Sequence, residues 1–372
     1  GLVGSEMCIR DSCYIWYSWQ SVVEIIMPLK FEITPISISS NLQKAEYLYN
    51  RDFGLSAVYV VPKQTSHKNL GIHIDLVAIP DALELQHHAV EKAKKMCAKN
   101  ALAGIEYGAG VFVITSKFMY SSSIGPAQYM NFFKFIQTYL NSHEDNFYCL
   151  SDGVVDILKD EDRKGLKKIT QGVNKFLDIS RDKLSECFYD TLVGCYKVLE
   201  DHYYNGLPTN YAVYGTPAQT LRLTASMQPR KPDPDSPIAL LLQGVSNQGS
   251  IAHLEKHKIV ICNNDDYWQP GIEADMAKEF ESKGILYVPA ELVKIAYNIM
   301  IEGVINVARN EDESKEMAMW LMERTNTLLE HTKNYKMSLY DICREIGYAQ
   351  MENRSNRFKL HQVGVGRNKS RV

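Results

Sequence analysis

The chain of 372 residues has no excess of either charge: Lys plus Arg number 41 and Asp plus Glu number 44, a net charge of −3. A balance so close to neutral leaves no electrostatic footprint for nucleic acid or anionic lipid. Paired cysteines are also lacking. The eight cysteines (Cys8, Cys13, Cys97, Cys149, Cys187, Cys195, Cys262 and Cys343) are scattered, with no C-x-x-C pair. That argues against a disulfide framework or a zinc site and for buried free thiols in a reducing compartment. No run is long and apolar enough to span a bilayer. The best stretch, Cys13 to Met27, is short, carries Gln20 and Glu24, and has neither end of a signal peptide. The expected setting is intracellular, either cytosol or mitochondrial matrix. Internal repeats, a G-x-S-x-G elbow and a G-x-x-x-x-G-K-[ST] phosphate loop are all missing.

What is present is ordinary for a folded chain. Apolar residues make up 45% and charged residues 23%, too apolar for a disordered protein. At about 100–200 residues per domain the length allows two or three domains. Gly1–Ser12 (GLVGSEMCIRDS) resembles the translation of a sequencing adaptor, so residues 1–26 are expected to be leader and Met27 the start.

Beyond the leader, strand and helix patterns alternate. GLSAVYVVP (Gly54–Pro62), VFVIT (Val111–Thr115), YAVY (Tyr211–Tyr214), Ile238–Leu242, KIVIC (Lys258–Cys262) and GILYV (Gly284–Val288) read as strands. Ala82–Lys99, Tyr129–Leu140, Phe188–Asp201, Glu273–Ser282 and a long stretch from Ile299 to about Thr332 read as helices. Gly104–Gly110 reads as a Gly-rich turn, and Gln228–Pro237 (QPRKPDPDSP) must be a loop. Asp160–Lys168 reads as a solvated charged run, and the final dozen residues as a polar, basic tail. The alternation predicts an α/β fold with a largely parallel sheet.

Lys95–Ile114 reads KMCAKNALAGIEYGAGVFVI. This segment resembles the substrate-binding segment of the Glu/Leu/Phe/Val amino-acid dehydrogenases, most closely their leucine dehydrogenase branch. Further stretches follow in the family's order: GLSAVYVV at Gly54, YCLSDGVVDIL at Tyr148, TLVGCYKVL at Thr191, HLEKHKIVICNNDD at His253, GILYVPAELV at Gly284 and GVINVA at Gly303. The resemblance spans about Gly54 to Ala308. It implies two lobes: a substrate-binding and oligomerisation domain over 27–199, and a shortened Rossmann-like domain over 205–306. Residues 307–372 then form C-terminal helices that pack back on the first lobe and a polar tail.

The same resemblance implies the site. Lys99 matches the lysine that neutralises the substrate carboxylate, a bond contributing about 1.5–3 kcal/mol. Asp152 matches the aspartate that holds the amine, with Asp156 its nearest rival; a plain turn aspartate is an equal alternative. The proton-transfer lysine should follow the Gly-rich turn, yet Val111 stands there. Losing a general acid–base group costs about 10²–10⁴-fold in rate. NAD(P) contacts are implied for Thr191, Gly215, Ala218, Gly244 and Asn263. Only the first glycine of G-x-G-x-x-G remains, at Gly215, and Pro217 removes a backbone donor. A few dozen residues that would carry the ribose-binding acid are missing between Met227 and Ile238.

Two functions stay open on these residues. One is a catalytically degenerate relative with a structural or interaction role, as a homo-oligomer or a subunit of a larger assembly. The other is a working NAD-dependent oxidoreductase that deaminates a branched-chain or related amino acid, with another base such as Lys117 in place of the lost one. Neither calls for a metal. His253 and His257 are spaced to share a helix face but lack a third ligand, and a surface pair is expected. Gly71-Ile72 replaces the family's Gly-Gly, and Asn298 is a candidate cleft asparagine. Met317, Met319 and Met322 read as a core or interaction stripe.

Overall fold

The computed structural model describes residues 32–36, 42–51, 54–62, 70–77, 79–104, 108–116, 147–150, 176–177, 181–242, 250–265, 267–268, 271–295, 298, 313–351, 355, 357–358 and 360. Eleven strands fall into two sheets. The first has seven: β1 (Glu32–Pro35), β2 (Leu42–Asn50), β3 (Leu55–Pro62), β4 (Leu70–Leu76), β5 (Gly108–Ser116), β6 (Phe147–Leu150) and β7 (Phe176–Leu177), in the order β1-β2-β3-β5-β4-β6-β7. β1, β2, β3 and β5 pair antiparallel, while β5, β4, β6 and β7 pair parallel. The second has four: β8 (Ala212–Tyr214), β9 (Ile238–Leu241), β10 (Ile259–Cys262) and β11 (Leu286–Val288), all parallel and in chain order. The α/β expectation holds, with the parallel pairing complete only in the second sheet.

Helix α1 (Ala82–Ala103) begins where the Asp81 side chain accepts from the backbone N–H of Leu83 and Glu84, and it ends at Gly104, whose φ of 67° closes the C-terminus. Leu85, Ala89 and Ala93 recur at helical spacing and bury on Val58, Val60, Val111 and Val113 of β3 and β5. The Gly-rich turn is shorter than its composition implies. Gly108, Ala109 and Gly110 pair in register with Leu70, Gly71 and Ile72, so they open β5. Parallel pairing with β4 recruits the glycines into the sheet, where the missing side chains permit close approach.

Helix α2 (Arg181–Tyr204) leads to β8, and α3 (Pro217–Ser226) follows it. IALL and IVIC, the whole of β9 and β10, are buried on both faces, as continuous apolar runs in a covered parallel sheet should be. One face packs on α2 (Leu192, Tyr196, Leu199), α5 (Ala290–Val293), α6 (Glu313–Tyr335) and α7 (Leu339–Met351). The other packs on α4 (Glu273–Ser282) through Trp268, Phe280 and Tyr287.

α7 returns to the first sheet's helix. A Cβ on Gly347 would lie 2.6 Å from the Cβ of Ala98, so α1 and α7 cross in near backbone contact. Ser338 and Asp341 carry the start of α7: the Ser338 hydroxyl accepts from the backbone N–H of Asp341 at 3.1 Å. The expected Tyr129–Leu140 helix, the Asp160–Lys168 run and the 299–312 part of the long helix lie outside the described residues.

The proline-rich loop is an edge cover. Tyr211 donates its N–H to Lys231 O and accepts from Asp233 N–H, forming a bridge with Pro232 that lies along the free edge of β8. Arg230 anchors the loop on Glu200 of α2, with Nε 2.6 Å from Oε1. Edge strands left open invite pairing with other chains, and this bridge occupies the edge at Tyr211, beside the start of β8.

Candidate functional site

Lys92, Lys95 and Lys99 lie at i, i+3 and i+7 on α1, one face of the helix. That face meets groups from the far end of the second sheet. Asp265 follows β10 by three residues, at the carboxyl end of a parallel strand, where α/β sheets place their ligand-facing groups. Its Oδ2 lies 2.6 Å from Lys99 Nζ and 3.3 Å from Lys294 Nζ. Lys95 reaches Asp265 O at 2.6 Å and Glu273 Oε2 at 2.8 Å. Tyr287 donates to Glu273 Oε1 at 2.8 Å and accepts from Trp268 Nε1 at 2.9 Å. On α1's other flank, Lys92 pairs with Asp75 at 3.3 Å. Lys99 is 1% exposed, among the most completely buried large side chains of the molecule.

Burial alone would raise the Asp265 carboxyl, but Lys294, Lys99, Lys92 and Lys95 hold it well below the usual carboxylate range. Burial likewise works to lower Lys95, and Glu273, Glu291 and Asp265 more than reverse it, leaving its ammonium well above the ordinary range. Glu291, buried beside Glu273, is pushed up to about 7 by its desolvation. The network is therefore a set of mutually compensated charges, and removing one strands another.

Val111, at the position of the lost proton-transfer lysine, is 0% exposed and sits under α1 with Ala89, Ala93 and Met96. The side chains it clusters with there are apolar, whereas Lys99 faces Asp265. Asp152, Asp156, Lys117 and Gly244 lie outside the described residues. Thr191 is buried on α2, and Ala218 is exposed on α3. Asn298 donates to Asn100 Oδ1 at 2.5 Å, one residue from Lys99, so the candidate asparagine does reach α1. Asn263 ends β10 and donates its backbone N–H to Leu241 O.

At the β8–α3 turn the helix caps itself. Thr216 Oγ1 accepts from Gln219 N–H at 3.2 Å, and the Gln219 side chain accepts from Thr216 N–H at 2.9 Å. A Cβ on Gly215 would meet Gln219 Oε1 and Leu242 Cβ, each at 3.0 Å. Two donors that could face a pyrophosphate are thus taken, Pro217 has none, and the space beside Gly215 is filled.

The expected surface histidine pair needs correction. His253 lies in a short 3-10 turn (Ala252–Leu254), and His257 is 1% exposed. His257 Nδ1 lies 2.6 Å from Ser236 O and must donate to it, so Nε2 accepts from the Tyr214 hydroxyl at 2.8 Å. The imidazole is a tie between the loop and β8, and burial lowers its pKa. Among the described residues no group of His, Cys, Asp and Glu could hold a metal ion. The described Cys97, Cys195, Cys262 and Cys343 are buried, and burial pushes the Cys195 and Cys262 thiols up to about 12. No helix among the described residues is long and apolar enough to cross a membrane.

No family model and no curated protein matches the sequence. Solved structures do match the architecture. L-tryptophan dehydrogenase from Nostoc punctiforme is similar with a TM-score of 0.58 at 14% identity, over 84% of this chain and 96% of that one. The fold is that of the amino-acid dehydrogenases. Hetero-hexameric glutamate dehydrogenase from Thermus thermophilus gives 0.58 at 10% identity, over 88% and 89% of the two chains. Glutamate dehydrogenase from Peptoniphilus asaccharolyticus gives 0.55 at 12%, over 90% and 93%. The sequence singled out Lys99 but not the Asp265, Glu273, Glu291 and Lys294 that surround it. Two signals were there to be read: the Lys92, Lys95, Lys99 spacing, and a polar NNDD run directly after an apolar strand.

Proposed function

We propose that the chain is an amino-acid dehydrogenase-fold protein without hydride-transfer chemistry, with a structural or interaction role as a homo-oligomer or a subunit of a larger assembly. The observation that carries this reading is the second sheet. Dinucleotides bind in the crevice where the strand order of a doubly wound sheet reverses. Here the described strands run β8-β9-β10-β11 without reversal, and β8 is an edge closed by the Gln228–Pro237 loop. Among the described residues no second half of the sheet forms a crevice wall. The self-capped N-terminus of α3 and the filled space at Gly215 agree with it, so the residues at this turn do not fit an NAD(P) pyrophosphate. Val111 in its apolar surroundings supplies no proton-transfer group.

The test has three arms. Titration calorimetry with NAD and NADP should show no saturable heat. Incubation with either nucleotide and a panel of aliphatic L-amino acids should leave absorbance at the reduced-nicotinamide band at background. Light scattering should give a mass above the 42.3 kDa of one chain. Saturable NAD binding with turnover would remove the reading; a monomer would remove its assembly part.

A further inference from the structure

Lys99 is a buried ammonium whose partner comes from its own chain. Asp265 reaches it from the end of β10, across the junction between α1 and the second sheet, and uses one oxygen: Oδ2 meets both Lys99 and Lys294, while Oδ1 is buried without a hydrogen-bond partner among the described residues. An aspartate side chain beyond Cβ has the size and charge of a small free carboxylate. Any carboxylate entering from solvent would have to evict it. The evicted group would then stay buried beside Glu273 and Glu291, whose charges oppose it. The tether gives Asp265 an effective concentration of millimolar or more, which a dilute competitor does not match.

We propose that Asp265 is a tethered carboxylate that occupies Lys99 in place of a free ligand, closes this junction to small carboxylates including free amino acids, and straps α1 to the second sheet. The proposal deepens the non-catalytic reading above and rests on it. Its corollary is that Asp265→Ala opens a monocarboxylate site bounded by Lys99 and Lys294.

The probe is sodium acetate against sodium chloride at matched ionic strength, read by thermal unfolding and by calorimetry on the full chain. Wild type should respond to the two salts alike. Asp265→Ala should melt lower, recover in acetate only, and bind acetate at least about tenfold more tightly than wild type does. Adding Lys99→Met to Asp265→Ala should abolish the recovery. The charge-balanced double variant Asp265→Ala/Lys294→Met keeps the test available if the single variant fails to fold, because Lys99 alone should still bind acetate.

Acetate binding to wild type as tight as to these variants overturns the proposal. So does a folded variant that does not distinguish acetate from chloride. NAD-dependent turnover of an amino acid by wild type overturns both the proposal and the non-catalytic reading, since such a substrate must have displaced Asp265. Failure of acetate recovery with no turnover overturns the proposal alone.

Discussion

The two faces of α1 are held by opposite physics. Toward the first sheet it presents Leu85, Ala89 and Ala93, and everything they meet on β3 and β5 is aliphatic. Toward the second sheet it presents Lys95 and Lys99, met by Asp265, Glu273 and Lys294. An apolar face gains from each area removed from water, about 25 cal/mol per Å², and its terms are nearly independent. A buried ionic face gains little net, because desolvation offsets attraction, and it holds only while every charge is matched. Its value is specificity: it fixes which end of the second sheet lies against which turn of the helix. Loss of one member should therefore do more damage there than deletion of a methyl group on the aliphatic side.

The strongest way to break this contrast is to put a charge on the wrong face. Val111→Lys introduces an ammonium into the buried apolar cluster of Ala89, Ala93, Met96, Val58 and Val60, and it should destabilise by about 3–5 kcal/mol in urea unfolding. It should restore no dehydrogenase activity. A small loss of stability would mean that the aliphatic face admits water and that the contrast is overstated.

Glu291→Gln sharpens the ionic side through pH. The folded carboxyl titrates at about 7 against an ordinary 4.5. The folded state binds this proton more tightly, so the stabilisation is full below about pH 4.5 and is lost as pH rises toward 7, on the order of 2–3 kcal/mol across that window. The amide should flatten the slope in urea midpoints measured between those pH values. Asp265, held low, acts in the opposite sense: its contribution is present above the ordinary aspartate value and is lost in acid below it. An unchanged slope in Glu291→Gln would place the proton elsewhere.

Gly347→Ala probes the third contact of α1, its crossing with α7. The added methyl would lie 2.6 Å from Ala98 Cβ and 2.8 Å from Ala98 Cα, too close without separating the helices. A loss of about 1–3 kcal/mol is expected, seen as a lower melting temperature. The smallest effect belongs to Thr216→Ala, which removes the cap of α3 and should cost about 1 kcal/mol. Nucleotide binding should not appear when that N–H is freed, since among the described residues the second sheet has no strand-order reversal to hold a nucleotide.

Much of the fold was legible because local patterns were strong. β9, β10 and α4 stand where apolar runs and helical spacing put them. The proline-rich segment is a loop, and β8 is the edge of the described second sheet. Where the reading went wrong, neighbours decided. Gly108–Gly110 are turn-formers by composition and strand residues by pairing with β4. His257 reads as a polar surface group and is buried because Tyr214 and Ser236 satisfy both ring nitrogens.

The site divides in the same way. Lys99 was singled out from the residues around it, because helix position and flanking sequence are short-range properties. Its partner was not, because Asp265 is 166 positions away and nothing local marks it as the group that reaches Lys99. The amino-acid sequence by itself determined the α/β alternation, the self-capping turn after β8 and the apolar residue at position 111. Tertiary structure alone decided that Lys95, Lys99 and Lys294 would share one desolvated junction with Asp265, Glu273 and Glu291. Pairing of that kind depends on distances between segments that the chain brings together only when both sheets have formed.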